Sequence, residues 1–343
     1  MYWNPRSWKR LVRQWIAGRQ FGDHVLATRL LDDPTVIYLK EWSLFVVGPN
    51  NKRISLNPVV WRNAHLNVTW LVTVSWSINT KWHALRFKRA RNAILAAAPR
   101  HRMIVVANTP EEDTFLQEFG LETLLANQNQ FSDPNTFQPI RDLAQRPFDA
   151  IYNARFLPYK RHDLAEAVPR LSLLGYSFDT PEFARIKAKF TDAHFANDVD
   201  GEFRRLSHVD VNDALNQARV GLCLSETEGA MAAAVEYLLA GLPVVTTPSE
   251  GGRDVFFDDR FVRVAAPDPD AVAHAVQSLC DEKISPAFIR EETLKKIDAA
   301  NQTFFDDLSQ IVGVSSEEIG RLFRERLSHQ LVSHTHRDNL FES

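Results

Sequence analysis

The 343 residues carry 40 lysines and arginines against 43 aspartates and glutamates, and the net charge of −3 argues against nucleic acid as the main partner. At 45% hydrophobic and 24% charged, the sequence is that of an ordinary globular protein, long enough for two cores rather than one. No apolar run reaches the ~18 residues of a membrane span, no secretory h-region is present, and two cysteines, Cys223 and Cys280, suit a reducing cytoplasm.

Residues 2–21 are basic and aromatic, and Trp8, Leu11, Val12 and Trp15 share one helical face while Arg6, Lys9, Arg10 and Arg13 lie elsewhere. Such a helix either packs on its own domain, the common case, or lies on an anionic membrane. Residues 35–78 hold strand-like runs at Val36–Leu39, Leu44–Val47 and Val68–Ile78, with turn residues at Gly48–Asn51. A basic helix is expected over Lys81–Ala98, a strand over Met103–Ala107, a helix from Asn108 to Phe119 and a short strand at Leu124–Ala126. Strand and helix in alternation mean a parallel sheet, so the first half is an α/β domain.

After the loop Asn127–Pro139, Asp149–Asn153 reads as a strand, Ala154–Arg161 as its exit loop, and His162–Leu174 as a helix. Residues 175–210 read as irregular, and a helix begins near Val209. The centre of the chain is Ala218–Asp254. Val220–Leu224 is an apolar run suited to a buried parallel strand, and Ser225–Gly229 is a polar turn. Ala230–Leu239 is rich in helix formers, Gly241 stops that helix, and Leu242–Thr247 is a second buried strand before the turn Glu250–Gly252. A helix start at the carboxyl end of a buried strand suits a phosphate, because its amides and dipole present positive charge. Two carboxylates flank it: Glu228 in the turn and Glu236 in the helix, amid Ala233, Ala234, Val235, Leu238 and Leu239. Further on, Phe261–Val264 is a strand, Asp268 caps a helix to Leu279, and Ser315–Glu318 opens a final helix with a capping box.

The set Ser225, Glu228-Gly229, Glu236, Gly241-Leu242-Pro243-Val244-Val245 and Gly251-Gly252 resembles the signature of group 1, family 4-like, retaining glycosyltransferases of the GT-B fold. Arg155 and Lys160, five apart beyond a strand, resemble that family's diphosphate-binding pair, and Asp268-Pro269-Asp270 resembles another of its runs. The first half departs from the pattern. It shows no glycine-rich turn before residue 48 and no clean His-Asp pair, although His65, His83, Ser75-Trp76-Ser77 and Asn79 lie in that region.

The resemblance implies an α/β, GT-B architecture of two Rossmann-like domains with parallel sheets facing a central cleft. Residues 1–140 would form an acceptor domain, 141–314 the donor domain, and 315–343 a helix bracing the first. It implies a glycosyltransferase taking a UDP-, GDP- or ADP-sugar and passing the sugar, with retention, to a glycan or lipid-linked acceptor. Glu228 would hold sugar hydroxyls, Glu236 the ribose hydroxyls, Arg155 and Lys160 the diphosphate, and the amides of Gly229, Ala230 and Met231 a phosphate. Two cations and a helix start stabilise a leaving diphosphate without metal, so neither metal nor cofactor is expected. The expected location is the cytoplasm, or its membrane face through the N-terminal helix. Two other readings stand beside this one: a non-catalytic scaffold or sugar-nucleotide sensor, and a GT-B epimerase acting on the sugar nucleotide itself.

Overall fold

A computed structural model describes residues 24–25, 35–41, 60, 64–65, 67–73 and 76–327. The helix expected over residues 2–21, the strand at 44–47, the turn at 48–51 and Ser75 lie outside the described residues. The chain divides into two compact units, one holding the described residues up to Phe131 and from Asn301 onward, the other Ser132–Ala300. Among the described residues no helix is long and apolar enough to cross a membrane.

The first unit is built on five strands in the order β1 (His24–Val25), β2 (Thr35–Glu41), β3 (Asn67–Thr73), β4 (His101–Ala107) and β5 (Thr123–Leu125). β1 runs antiparallel to β2, and the remaining neighbours are parallel. Alternation along β3 and β4 sends side chains to two cores. Trp70, Val72, Met103 and Val105 face α1 (Lys81–Ala97), which buries Ala84, Phe87, Ala90 and Ile94 at helical spacing. Leu71, Ile104 and Val106 face Phe304, Phe305, Leu308, Ile319 and Phe323 on the other side. Helix α2 (Pro110–Glu118) starts with proline at its first position, and the Thr109 hydroxyl accepts from the Glu112 amide at 3.2 Å. The strand order here is sequential, so the described strands contain no reversal at which a ligand crevice would open.

The second unit carries six parallel strands: β6 (Phe148–Asn153), β7 (Leu171–Leu174), β8 (His194–Phe195), β11 (Ala218–Cys223), β12 (Val244–Thr246) and β13 (Val262–Val264). Their order is β13-β12-β11-β6-β7-β8. The chain therefore steps outward from β6 to β8, then returns to the other side of β6 and steps outward again, as in a doubly wound nucleotide-binding sheet. A small antiparallel hairpin, β9 (Asp198–Val199) with β10 (Glu202–Phe203), precedes α4 (His208–Leu215).

Two local readings are corrected, and one helix is added to them. The helix expected over His162–Leu174 is a short 3-10 turn at His162–Ala165 followed by β7. Pro169 offers no amide to a helix, and the fully buried Leu171-Ser172-Leu173-Leu174 pairs with β6 instead. Residues 175–210 are not irregular throughout, because Thr180 and Pro181 start α3 (Pro181–Lys189), the Thr180 hydroxyl accepting from the Phe183 amide at 3.1 Å. The 27-residue helix α7 (Pro286–Val312), between α6 (Pro269–Glu282) and α8 (Ser316–Leu327), was not read from the sequence at all. Its C-terminal part and α8 belong to the first unit.

Around the central strand-helix-strand unit the packing leaves no slack. A Cβ added to Gly221 of β11 would stand 2.4 Å from the ring of Tyr237 on α5 (Ala232–Leu239). Gly241 closes α5 at φ +73°. Gly221→Ala should therefore cost about 1–3 kcal/mol by overpacking. Urea unfolding of the variant checks this, and an unmoved midpoint would mean that the Tyr237 ring yields at no cost.

Candidate functional site

In an open parallel sheet, the loops leaving two neighbouring strands diverge where the strand order reverses, and the crevice between them receives ligands. Here the reversal lies between β6 and β11, whose exit loops run from Ala154 and from Leu224. The loops carrying the residues singled out in the sequence leave these two strands.

The β6 exit is held from beneath. The Tyr152 hydroxyl donates to the Lys160 carbonyl, the Lys160 amide bonds the Leu157 carbonyl at 3.1 Å, and Arg161 takes a left-handed backbone with φ 51°. Lys160 itself is 7% exposed, and its ammonium forms an ion pair with the Glu228 carboxylate, which is 5% exposed. The β11 exit is held from the side. Thr227 bridges Glu250, and the amides of Glu228 and Gly252 bond the carbonyls of Glu250 and Gly229 at 2.9 and 2.6 Å. Sequence distance hid the ion pair, since its partners are 68 residues apart. Each partner keeps hydrogen-bonding capacity: a lysine has three donors and a carboxylate about four acceptor sites. Each is the other's one hydrogen-bonding side-chain partner among the described residues.

Glu236 faces the same edge from α5. It is 7% exposed, its Oε2 lies 3.3 Å from Asn153 Nδ2 at the end of β6, and burial pushes its carboxyl up to about 7. The neighbouring Tyr237 hydroxyl accepts from the Asn153 amide at 2.6 Å, which fixes α5 against β6. α5 begins after Met231, whose backbone is left-handed at φ 34°, an uncommon conformation for a residue with a side chain. No acidic side chain occupies its first turn, so the positive end of the helix is not offset there. Gly229, Ala230 and Met231 lead into it, since the helix read over Ala230–Leu239 begins only at Ala232.

Arg155 is placed differently. It is exposed, its Nε donates to the Ser177 hydroxyl at 2.9 Å, and its guanidinium lies 5.4 Å from the centre of the Tyr176 ring. Arg205 approaches the same half-exposed ring at 5.5 Å. Two other arginines, not singled out in the sequence, brace the exits. Arg161 donates to the Leu224 carbonyl at 2.7 Å and the Thr247 hydroxyl at 2.8 Å, and the fully buried Arg253 donates to the Ser225 carbonyl at 2.8 Å. Arg161 sits beside Lys160 and Arg253 follows Gly251-Gly252, but no spacing rule marks either.

Three neighbouring groups are neutral at physiological pH. Burial pushes the Cys223 thiol up to about 12, and burial with the Glu228 charge pushes the Tyr159 phenol up to about 12. His162, buried between Tyr152 and Phe156, has no hydrogen-bond partner for either ring nitrogen among the described residues, and burial lowers it to about 4. Among the described residues no group of three His, Cys, Asp or Glu is placed to hold a metal. In the first unit Thr80 caps α1, its hydroxyl accepting from the His83 amide at 3.3 Å and lying 3.0 Å from the His83 ring Nδ1, and His65 is exposed.

Residues 159–282 match the family described as "Glycosyl transferases group 1", a segment that includes Lys160, Glu228 and Glu236 and begins after Arg155. No curated protein sequence matches the chain. Among solved structures, HepE of Anabaena in complex with UDP is 17% identical, with 80% of this chain and 76% of that one covered at a TM-score of 0.51. Sucrose-phosphate synthase of Thermosynechococcus elongatus is also 17% identical, with coverage of 84% and 73% at a TM-score of 0.51. At such identity the likeness concerns the fold, which is α/β of the GT-B class.

Proposed function

We propose that this chain is a glycosyltransferase that moves a sugar from a nucleotide-diphosphate donor to an acceptor, with retention at the anomeric carbon. One observation carries the reading: Lys160, Glu228, Glu236 and the start of α5 meet at the strand-order reversal of a doubly wound sheet, inside the segment matching group 1 glycosyltransferases. In this reading Lys160 and the amides of Gly229, Ala230 and Met231 receive the diphosphate, where negative charge accumulates as the glycosidic bond breaks. Glu236 accepts from the ribose hydroxyls and Glu228 from the transferred sugar. The cationic side chains take the place of a metal ion, and turnover should survive EDTA. The UDP in the HepE structure makes uridine nucleotides the first donors to try.

Thermal stabilisation by UDP, GDP, ADP and their glucose conjugates tests the reading. A shift with one nucleotide series is expected, and no shift with any of them at millimolar concentration would end it. Donor consumption with and without acceptor then separates transfer from acceptor-free epimerisation and from binding without turnover.

Arg155 gives a separate test, because it stands exposed on Tyr176 rather than paired with a carboxylate. Its loss should alter stability by no more than ~0.5 kcal/mol, as for most surface substitutions. If it swings to the diphosphate, Arg155→Ala should weaken nucleotide binding by about 1.5–3 kcal/mol, the worth of a charged hydrogen bond. Calorimetric titration of UDP or GDP reads that difference, and an unchanged affinity removes Arg155 from the site.

A further inference from the structure

We propose that the buried Lys160–Glu228 ion pair makes the site select an intact nucleotide sugar over a bare diphosphate, with Glu228 as the discriminating residue. The inference rests on the function proposed above and goes beyond it. Assigned separately, the lysine serves the phosphates and the glutamate serves the sugar. The structure shows the two groups paired with each other, in a place where both are almost out of water.

That contact changes what each does to a ligand. A phosphate that takes the unused donors of Lys160 comes within a few ångströms of the Glu228 carboxylate, whose negative charge opposes it with little water to screen the repulsion. Tyr152 and Cys223, buried beside the pair, are neutral at physiological pH and add no charge of their own. A bare nucleoside diphosphate or pyrophosphate therefore meets an attractive charge and a repulsive one together. A nucleotide sugar brings its own remedy. Its hydroxyls donate to the unused acceptor sites of Glu228, so the carboxylate keeps its hydrogen bonds while Lys160 turns to the phosphate. The same carboxylate that welcomes the sugar penalises what is left once the sugar has gone, which favours product departure.

Both partners are anchored at the backbone. The Lys160 backbone is tied through Tyr152 and Leu157, and the Glu228 backbone through Glu250. These anchors keep the two side chains within reach of each other, while the lysine side chain can still turn between carboxylate and phosphate.

Inorganic pyrophosphate, which carries neither base nor sugar, is the direct probe. Glu228→Gln keeps the shape and the hydrogen-bonding oxygen but removes the charge, so pyrophosphate should bind the variant at least about tenfold more tightly than the wild type, and UDP likewise. UDP-glucose should gain less, so the wild-type preference for UDP-glucose over UDP should collapse. Equal or weaker pyrophosphate binding in the variant overturns the proposal, whether or not the wild type binds it measurably. If Glu228→Gln fails to fold, the wild type alone decides: UDP-glucose binding at least about tenfold tighter than UDP supports the proposal, and equal affinity overturns it. A wild type that binds no nucleotide or nucleotide sugar overturns the proposed function as well, whereas nucleotide binding without gain in the variant overturns the selector alone.

Discussion

Replacing Lys160 with methionine should cost about 3–5 kcal/mol of stability, far more than its loss would at the surface, because it strands the buried Glu228 carboxylate without its partner. The same variant should lose nucleotide-sugar binding. Stability and binding separate in the double variant Lys160→Met/Glu228→Leu. Replacing both charges with apolar groups of similar size is often neutral for a fold, so stability should return toward the wild type. Binding should not return, since no cation then faces the diphosphate. Urea denaturation of the four proteins gives the coupling between the two sites. Additive losses in that cycle would mean the ion pair does not exist in solution.

Glu236 gives the second large effect, read through pH. Its carboxyl titrates at about 7 when folded, against an ordinary value of 4.5, because burial disfavours the charged form. Between those values the folded protein holds a proton that the unfolded chain has released, so stability must fall as pH rises. The contribution is whole below pH 4.5 and is lost by the time pH passes 7, a change of about 3 kcal/mol. Glu236→Gln should flatten that part of the profile and be more stable than the wild type at pH 8. Binding has the opposite slope. Ribose hydroxyls are best received by the ionised carboxylate, so a nucleotide binding below the folded value of about 7 should release a proton. Calorimetric titrations in buffers of different ionisation enthalpy measure it, and a wild type that releases none has Glu236 away from the ligand.

The central unit was legible because its signals are local. Apolar runs at 220–224 and 242–247, a glycine-free helix between them and Gly241 after it describe β11, α5 and β12 to within a few residues. The helix read over His162–Leu174 failed where a buried parallel strand and a buried helix look alike in a short apolar run, and Pro169 was the sign to weigh. The helix α7 went unread although Ser285-Pro286 carries the same start signal as Thr109-Pro110 and Thr180-Pro181. The site was legible residue by residue but not as a geometry. Spacing treats Arg155 and Lys160 as equals, whereas one is exposed on a tyrosine and the other is buried on a carboxylate. That difference depends on contacts across 68 residues of chain, which no local pattern encodes.

The bracing by Arg161 has a kinetic consequence. It spends its donors on a carbonyl and a hydroxyl, with no carboxylate hydrogen bond among the described residues, so its positive charge stands fixed at the strand exits of a protein whose net charge is −3. A polyanion approaching at ~0.01 M salt feels the whole molecule over a Debye length of about 30 Å and is repelled. Near 0.15 M that length shrinks to about 8 Å, the distant charges fade, and the fixed guanidinium at the crevice still attracts. The bimolecular rate of nucleotide arrival should therefore climb with salt before it falls, peaking at an intermediate ionic strength instead of declining from the start.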